Sequence, residues 1–175
     1  MTRFALLLLL VLAACGDDRQ AAAPPPAPMT ADAMGHYCGM ALTDHPGPKG
    51  QIQVKSRKQP YWFSSARDTL AFTLLPEEPK DIAAVYVTAM DKAKDWAAPG
   101  PESWVDGRKA FYVVGSDAKG GMGQREIVPF STTEAAERFR TEHGGQVAPF
   151  DKVPRELVLG EDTPAMQAQH PKGHK

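Results

Sequence analysis

Short apolar runs, each bounded by polar or turn-forming residues, fill most of the chain between residues 50 and 150, and their order repeats. Residues 51–54 (QIQV) and 61–63 (YWF) have strand character. Ser64 or Ser65 can then cap a helix over ARDTLAFTLL, which Pro76 stops. Residues 82–88 (IAAVYVT) give a third strand. The second pass begins with strands at 110–114 (AFYVV) and 125–130 (REIVPF). A helix over EAAERFRTEH follows Ser131 or Thr132 and ends at Gly144-Gly145, and a strand lies within 145–150 (GQVAPF). Glu134 stands three residues after Ser131, which predicts a capping box at Ser131.

The two passes align at one constant offset. PYWFSSARDTLAF (60–72) overlies IVPFSTTEAAERF (127–139), matching Phe63-Ser64 to Phe130-Ser131 and Phe72 to Phe139. Each half therefore reads β-β-α-β. Three strands and one helix are too few to be stable alone, so the halves should share a core. The expected class is α+β, two homologous β-β-α-β units packed into one domain, over 33–95 and 96–154. Residues 91–104 (DKAKDWAAPGPESW) read as the linking loop, because Pro99-Gly100-Pro101 breaks any periodicity.

The ends have other patterns. Arg3 precedes an apolar run over 4–12 that is about half the length needed to cross a bilayer, so residues 1–14 read as a signal peptide. The run closes on Leu12-Ala13-Ala14-Cys15, which is similar to a bacterial lipobox. Cleavage before Cys15 would leave an acylated N-terminal cysteine (the family of modifications that includes palmitate), anchored in the inner or the outer membrane and facing the periplasm. An ordinary secretory signal is the plainer alternative. Residues 15–32 then read as a disordered Ala/Pro-rich tether, and residues 155–175 as a flexible tail carrying Met166, His170 and His174.

Composition narrows the function. The chain has 175 residues and a formal net charge of −1. That balance lacks the basic stripe of a nucleic-acid-binding protein. It has two cysteines. With Cys15 acylated, Cys38 has no intramolecular partner, and an unpaired thiol in an oxidising compartment invites a role. The plain alternative is a buried cysteine acting as a small hydrophobe.

Cys38-Gly39-Met40 offers a thiolate and a thioether two positions apart, and Gly39 permits a turn that would unite them. Soft sulfur donors select Cu(I) over hard cations, and zinc prefers four Cys or His ligands. Met122, inside DAKGGMGQ (117–124), adds a third sulfur on a glycine-rich turn; it could also be a gap-filler. Met34 and His36 are further candidate donors. Met90, at a strand end, should be partly buried. Such a two- or three-donor site could also be completed by a second copy of the chain, giving a copper-bridged homodimer.

Taken together, the lipobox, Cys38-Gly39-Met40, the Phe-Ser-capped helix in each half and Lys119-Gly120-Gly121-Met122-Gly123 resemble the NosL family, over about residues 34–154. That resemblance implies a Cu(I) chaperone, a copper carrier and not an enzyme, that supplies the copper–sulfur centre of nitrous oxide reductase together with an ABC-type maturation complex in denitrification. It implies Cys38, Met40 and Met122 as ligands and a fold similar to organomercurial lyase. Two other classes stand beside it. A thiol-dependent lyase would need a second thiol for the metal product, which the chain does not offer. A docking lipoprotein without a metal would leave the loop methionines unexplained.

Overall fold

The structure is a computed structural model that describes residues 22–160. Among the described residues, seven strands form two antiparallel sheets. The first holds β1 (Gly50–Val54), β2 (Tyr61–Phe63), β3 (Ile82–Thr88) and β4 (Trp104–Asp106) in the order β2-β1-β3-β4. The second holds β5 (Phe111–Val114), β6 (Val128–Phe130) and β7 (Gln146–Pro149) in the order β6-β5-β7. Helix α1 (Ala66–Leu74) lies between β2 and β3, and α2 (Thr133–His143) between β6 and β7. The mixed α and β class expected from the pattern is thus observed, and both halves run β-β-α-β.

Helices α1 and α2 each start where a hydroxyl can take an orphan backbone N–H. Ser65 Oγ accepts from Asp68 N, and Thr132 Oγ1 accepts from Ala135 N. The cap of α2 is therefore Thr132, and the capping box expected at Ser131 does not form. Asp91 is the reason. Its carboxylate takes the Ser131 N–H at 2.7 Å and also the Ser131 hydroxyl, so that side chain is turned away from the helix. The helix ends at Gly144, whose φ of +71° suits glycine.

Three further expectations need correction. Trp104, placed at the end of the linking loop, opens β4. Its strand pairs with β3 through Thr88↔Trp104, Val87↔Val105 and Tyr86↔Asp106, so the first sheet takes its edge from beyond residue 96. β6 is shorter than the run 125–130, because Glu126 N donates to Ala118 O and Arg125 bridges Lys119 across the glycine-rich turn. Finally, the first part of the expected tail is helix α3 (Arg155–Leu159), which packs on α1 and buries Val158. Arg67 Nε holds it by donating to Val158 O at 2.9 Å. The remaining tail, with Met166, His170 and His174, and the signal segment with Cys15 lie outside the described residues.

The Ala/Pro stretch expected to be a disordered tether departs from that reading over 24–27. Ala27, Pro25 and Pro24 are hydrogen-bonded to Gln51, Gln53 and Tyr86 of the first sheet. Apolar periodicity could not signal this, because the bonds use backbone groups.

Both halves share one core. Ala66, Leu70 and Val87 from the first pack with Tyr112, Val114, Ile127 and Val158 from the second. Satellite clusters lie under α1 (Ile52, Phe63, Phe72, Val85) and α2 (Val113, Val128, Phe130, Ala136), the latter with Met90 partly buried against it. Burying a Phe or Leu side chain contributes about 1.5–3 kcal/mol. The shared core fixes the seam between the halves, and that seam carries the site.

Candidate metal centre

Residues 35–40 make a tight reverse loop. Gly35 N donates to Met40 O at 2.9 Å, and Gly39 N donates to Gly35 O at 2.8 Å. His36 N donates to Trp62 O at 2.7 Å and ties the loop to the edge of β2. Gly39 has φ +65°, a left-handed conformation that a side chain would strain. Gly35 is required for space, since a Cβ there would collide with Cys38 Sγ. The two glycines of GHYCGM thus turn the chain and let the thiol fold back over it. Cys38 is free and half-buried, and its Sγ lies 3.5 Å from Ser64 Oγ.

Facing this loop is the glycine-rich turn of the second half. Gly123 N donates to Gly120 O at 2.9 Å, and Gly120 N donates to Gln124 O at 3.0 Å. Met122 sits in the turn with 58% of its surface exposed. Cys38 and Met122 line the same cleft of about 370 Å³, together with Tyr37, Ser64, Asp68 and Glu126. The fold brings together two sulfurs that are far apart in sequence.

The other candidate donors are placed differently. Met40 is exposed beside the loop and does not line the cleft wall. Met34 and His36 line a separate depression of about 500 Å³ with Arg57, Tyr61 and Trp62. The His36 ring is already engaged. Its Nε2 lies 3.2 Å from Glu78 Oε1, and it packs edge-on to Tyr61 and Phe72 with centroids at 4.8 and 5.6 Å. Tyr37 donates its hydroxyl to the same Glu78 oxygen at 2.9 Å. Burial and that acidic neighbour raise the Tyr37 phenol, so it stays neutral.

Beneath the Met122 turn lies a buried polar layer that sequence reasoning missed. Glu126 is buried at the cleft wall and accepts from Ile127 N at 2.9 Å and Arg67 N at 3.2 Å. Burial pushes its carboxyl up to about 8, against the pull of those two N–H groups. Lys49 is buried too. Desolvation lowers its ammonium to about 8, and Nζ donates to Gly47 O at 2.6 Å. His45 is buried, and its Nε2 has no hydrogen-bond partner among the described residues. The turn rests directly on this layer. A Cβ at Gly120 would stand 2.5 Å from Glu126 Oε2, and one at Gly121 2.6 Å from His45 Cβ. The only sequence signal was a charge inside the strand-like run REIVPF. Ser64, read as a helix cap, instead faces the thiol.

Among the described residues no group of three or more His, Cys, Asp and Glu side chains could hold a metal ion. The cleft does hold two sulfur donors, Cys38 and Met122, and thiolate with thioether is a soft donor set.

A two-sheet α+β domain with a thiol and a thioether lining one cleft between its halves is the class that fold and site define. The NosL family model matches residues 26–158. The chain is 41% identical over 145 residues to the "Copper-binding lipoprotein NosL" of Achromobacter cycloclastes, covering 82% of this chain and 74% of that protein. It is 35% identical over 124 residues to the protein of the same name from Stutzerimonas stutzeri, covering 70% of this chain and 63% of that one. Among solved structures, the copper chaperone NosL from Shewanella denitrificans superposes with a TM-score of 0.70 at 35% identity, over 75% of this chain and 98% of that chain. The chain belongs to the NosL family.

Proposed function

We propose that this protein is a membrane-anchored Cu(I) chaperone that faces the periplasm and delivers copper for the copper–sulfur centre of nitrous oxide reductase. The observation that carries the proposal is the meeting of Cys38 and Met122 in one open cleft between the halves. Cu(I) is the cargo. Cys38 binds it as thiolate, releasing its proton, and Met122 adds a neutral thioether. Met40 is two residues from the thiol on an exposed loop end, and it joins as a third donor if the 35–40 loop rearranges on binding.

Two or three soft donors hold a cuprous ion without saturating it. An incoming thiolate or imidazole of the recipient can bind before the carrier's own ligands leave, so transfer proceeds by ligand exchange and no naked ion is released. No bond of a substrate is made or broken, so the role is that of a carrier and not an enzyme. The relatives named copper-binding lipoproteins support this reading, and acylation at Cys15 supplies the anchor. The ABC-type maturation complex is the expected relay partner. A copper-bridged dimer is a second arrangement the open coordination allows.

X-ray absorption of the Cu(I)-loaded protein tests the reading. Two or three sulfur scatterers at thiolate and thioether distances are expected. A first shell made of nitrogen or oxygen alone sinks it.

A further inference from the structure

The outer face of the first sheet carries a second recognition feature, built from residues that do not line the sulfur cleft. Gln51 and Gln53 alternate with the core residues Ile52 and Val54, so both point away from α1. Tyr86 is the cross-strand partner of Gln51 and shares its face. Residues 24–27 lie across these three side chains. Gln51 Oε1 accepts from Ala27 N at 2.7 Å, and Gln51 Nε2 donates to Ala27 O at 3.0 Å. Gln53 Nε2 donates to Pro25 O at 2.7 Å, and Tyr86 OH donates to Pro24 O at 2.8 Å.

The chemistry matches position by position. In Pro24-Pro25-Pro26-Ala27-Pro28 only Ala27 has a backbone N–H. It meets the one side chain of the three that both donates and accepts with its amide here. The prolines, which have carbonyls alone, meet donors. Gln51 is fully buried although it is polar and lies on an outer strand face. A buried primary amide is costly unless both its ends are bonded, and here the segment bonds both. The prolines also hold the segment extended beforehand, which lowers the entropy lost on docking.

We infer that this face is a built dock for the chain's own Ala/Pro segment, and that docking sets how far the copper cleft can stand from the membrane. The inference rests on the anchor part of the function proposed above. Counted from Cys15, Pro24 is nine residues on and Ala33, the first buried residue of the domain, eighteen. A fully extended chain spans at most about 3.3–3.6 Å per residue. An undocked segment would thus allow about 60 Å of reach, and the docked one about 30 Å. The domain is held on a short lead, within reach of a membrane-embedded recipient.

The test uses the full mature lipoprotein in nanodiscs. Hydrogen exchange should show the Ala27 amide protected at least about tenfold relative to Ala22 and Ala23. Gln51→Ala should abolish that protection. Gln53→Ala with Tyr86→Phe, which leaves the buried amide intact, should reduce it and keeps the test decisive if Gln51→Ala unfolds. Energy transfer from the tryptophans to dansyl-labelled lipid should fall in the same variants. Cu(I) affinity should not change. An Ala27 amide exchanging at the rate of its neighbours in the unmodified protein overturns the dock. Protection lost with energy transfer unchanged overturns the reach claim. If the Cys15→Ala protein stays in the membrane fraction, the anchor reading fails while the amide protection still reports on the dock.

Discussion

Gly121 rests on His45 so closely that a methyl group at position 121 would stand 2.6 Å from the His45 Cβ and 2.8 Å from its Cα. The turn that presents Met122 is therefore seated on the first half of the molecule, and its glycines are spacers as much as hinges. Gly121→Ala must lift the turn, because the obstacle includes backbone. We expect Cu(I) affinity to fall about tenfold in a chelator competition, with a loss of about 1–3 kcal/mol of stability from overpacking. Wild-type affinity in Gly121→Ala would separate Met122 from the site.

The opposite wall has the same kind of constraint. A Cβ at Gly35 would collide with Cys38 Sγ, whereas nothing lies within 4 Å of one at Gly39. Gly35→Ala should displace the thiol and weaken copper binding. Gly39→Ala should act through backbone strain alone, since its φ is +65°, at a cost of about 1–2 kcal/mol. Thermal unfolding and copper titration of the pair check the distinction.

Buried charge gives the stability a pH profile. The Glu126 carboxyl is raised from 4.5 to about 8 in the fold. Between those values the folded state keeps a proton that the unfolded chain releases, so stability falls as pH rises from about 4.5 to 8. Lys49 is lowered from 10.5 to about 8, so above pH 8 the folded state holds fewer protons than the unfolded one and stability recovers. Denaturant unfolding across this range should show a minimum near pH 8. Glu126→Gln should flatten the falling limb and leave the rising one.

The corrected cap is directly testable. Thr132→Ala removes the acceptor for Ala135 N and should cost about 1 kcal/mol. Ser131→Ala should leave the helix start intact and act only through its bond to Asp91. Equal helix fraying in both variants, by amide exchange at Ala135, would restore Ser131 as the cap.

The strands and helices of the two halves were legible because their apolar periodicity and stop signals agree: Ser65 with Pro76 brackets α1, and Gly144 ends α2. Trp104 to Asp106 was not, since three residues after a Pro-Gly-Pro stretch carry no period, and only pairing with β3 makes them a strand. Helix α3 was hidden similarly: its five residues are held by packing of Val158 and by Arg67, far away in sequence. Of the site, Cys38 and Met122 were legible as exposed-looking sulfurs among glycines. The Glu126, Lys49 and His45 layer was not, because burial of a charge is decided by what folds over it.

Competition for Cu(I) between a chromogenic chelator and the reduced protein, in wild type, Cys38→Ser, Met122→Ala and Met34→Ala, tests the central claim most directly. Loss of at least about tenfold in affinity for Cys38→Ser and for Met122→Ala, about 1.4 kcal/mol each, with Met34→Ala unchanged, is the predicted result. Full affinity in either of the first two variants would contradict a site built across the seam.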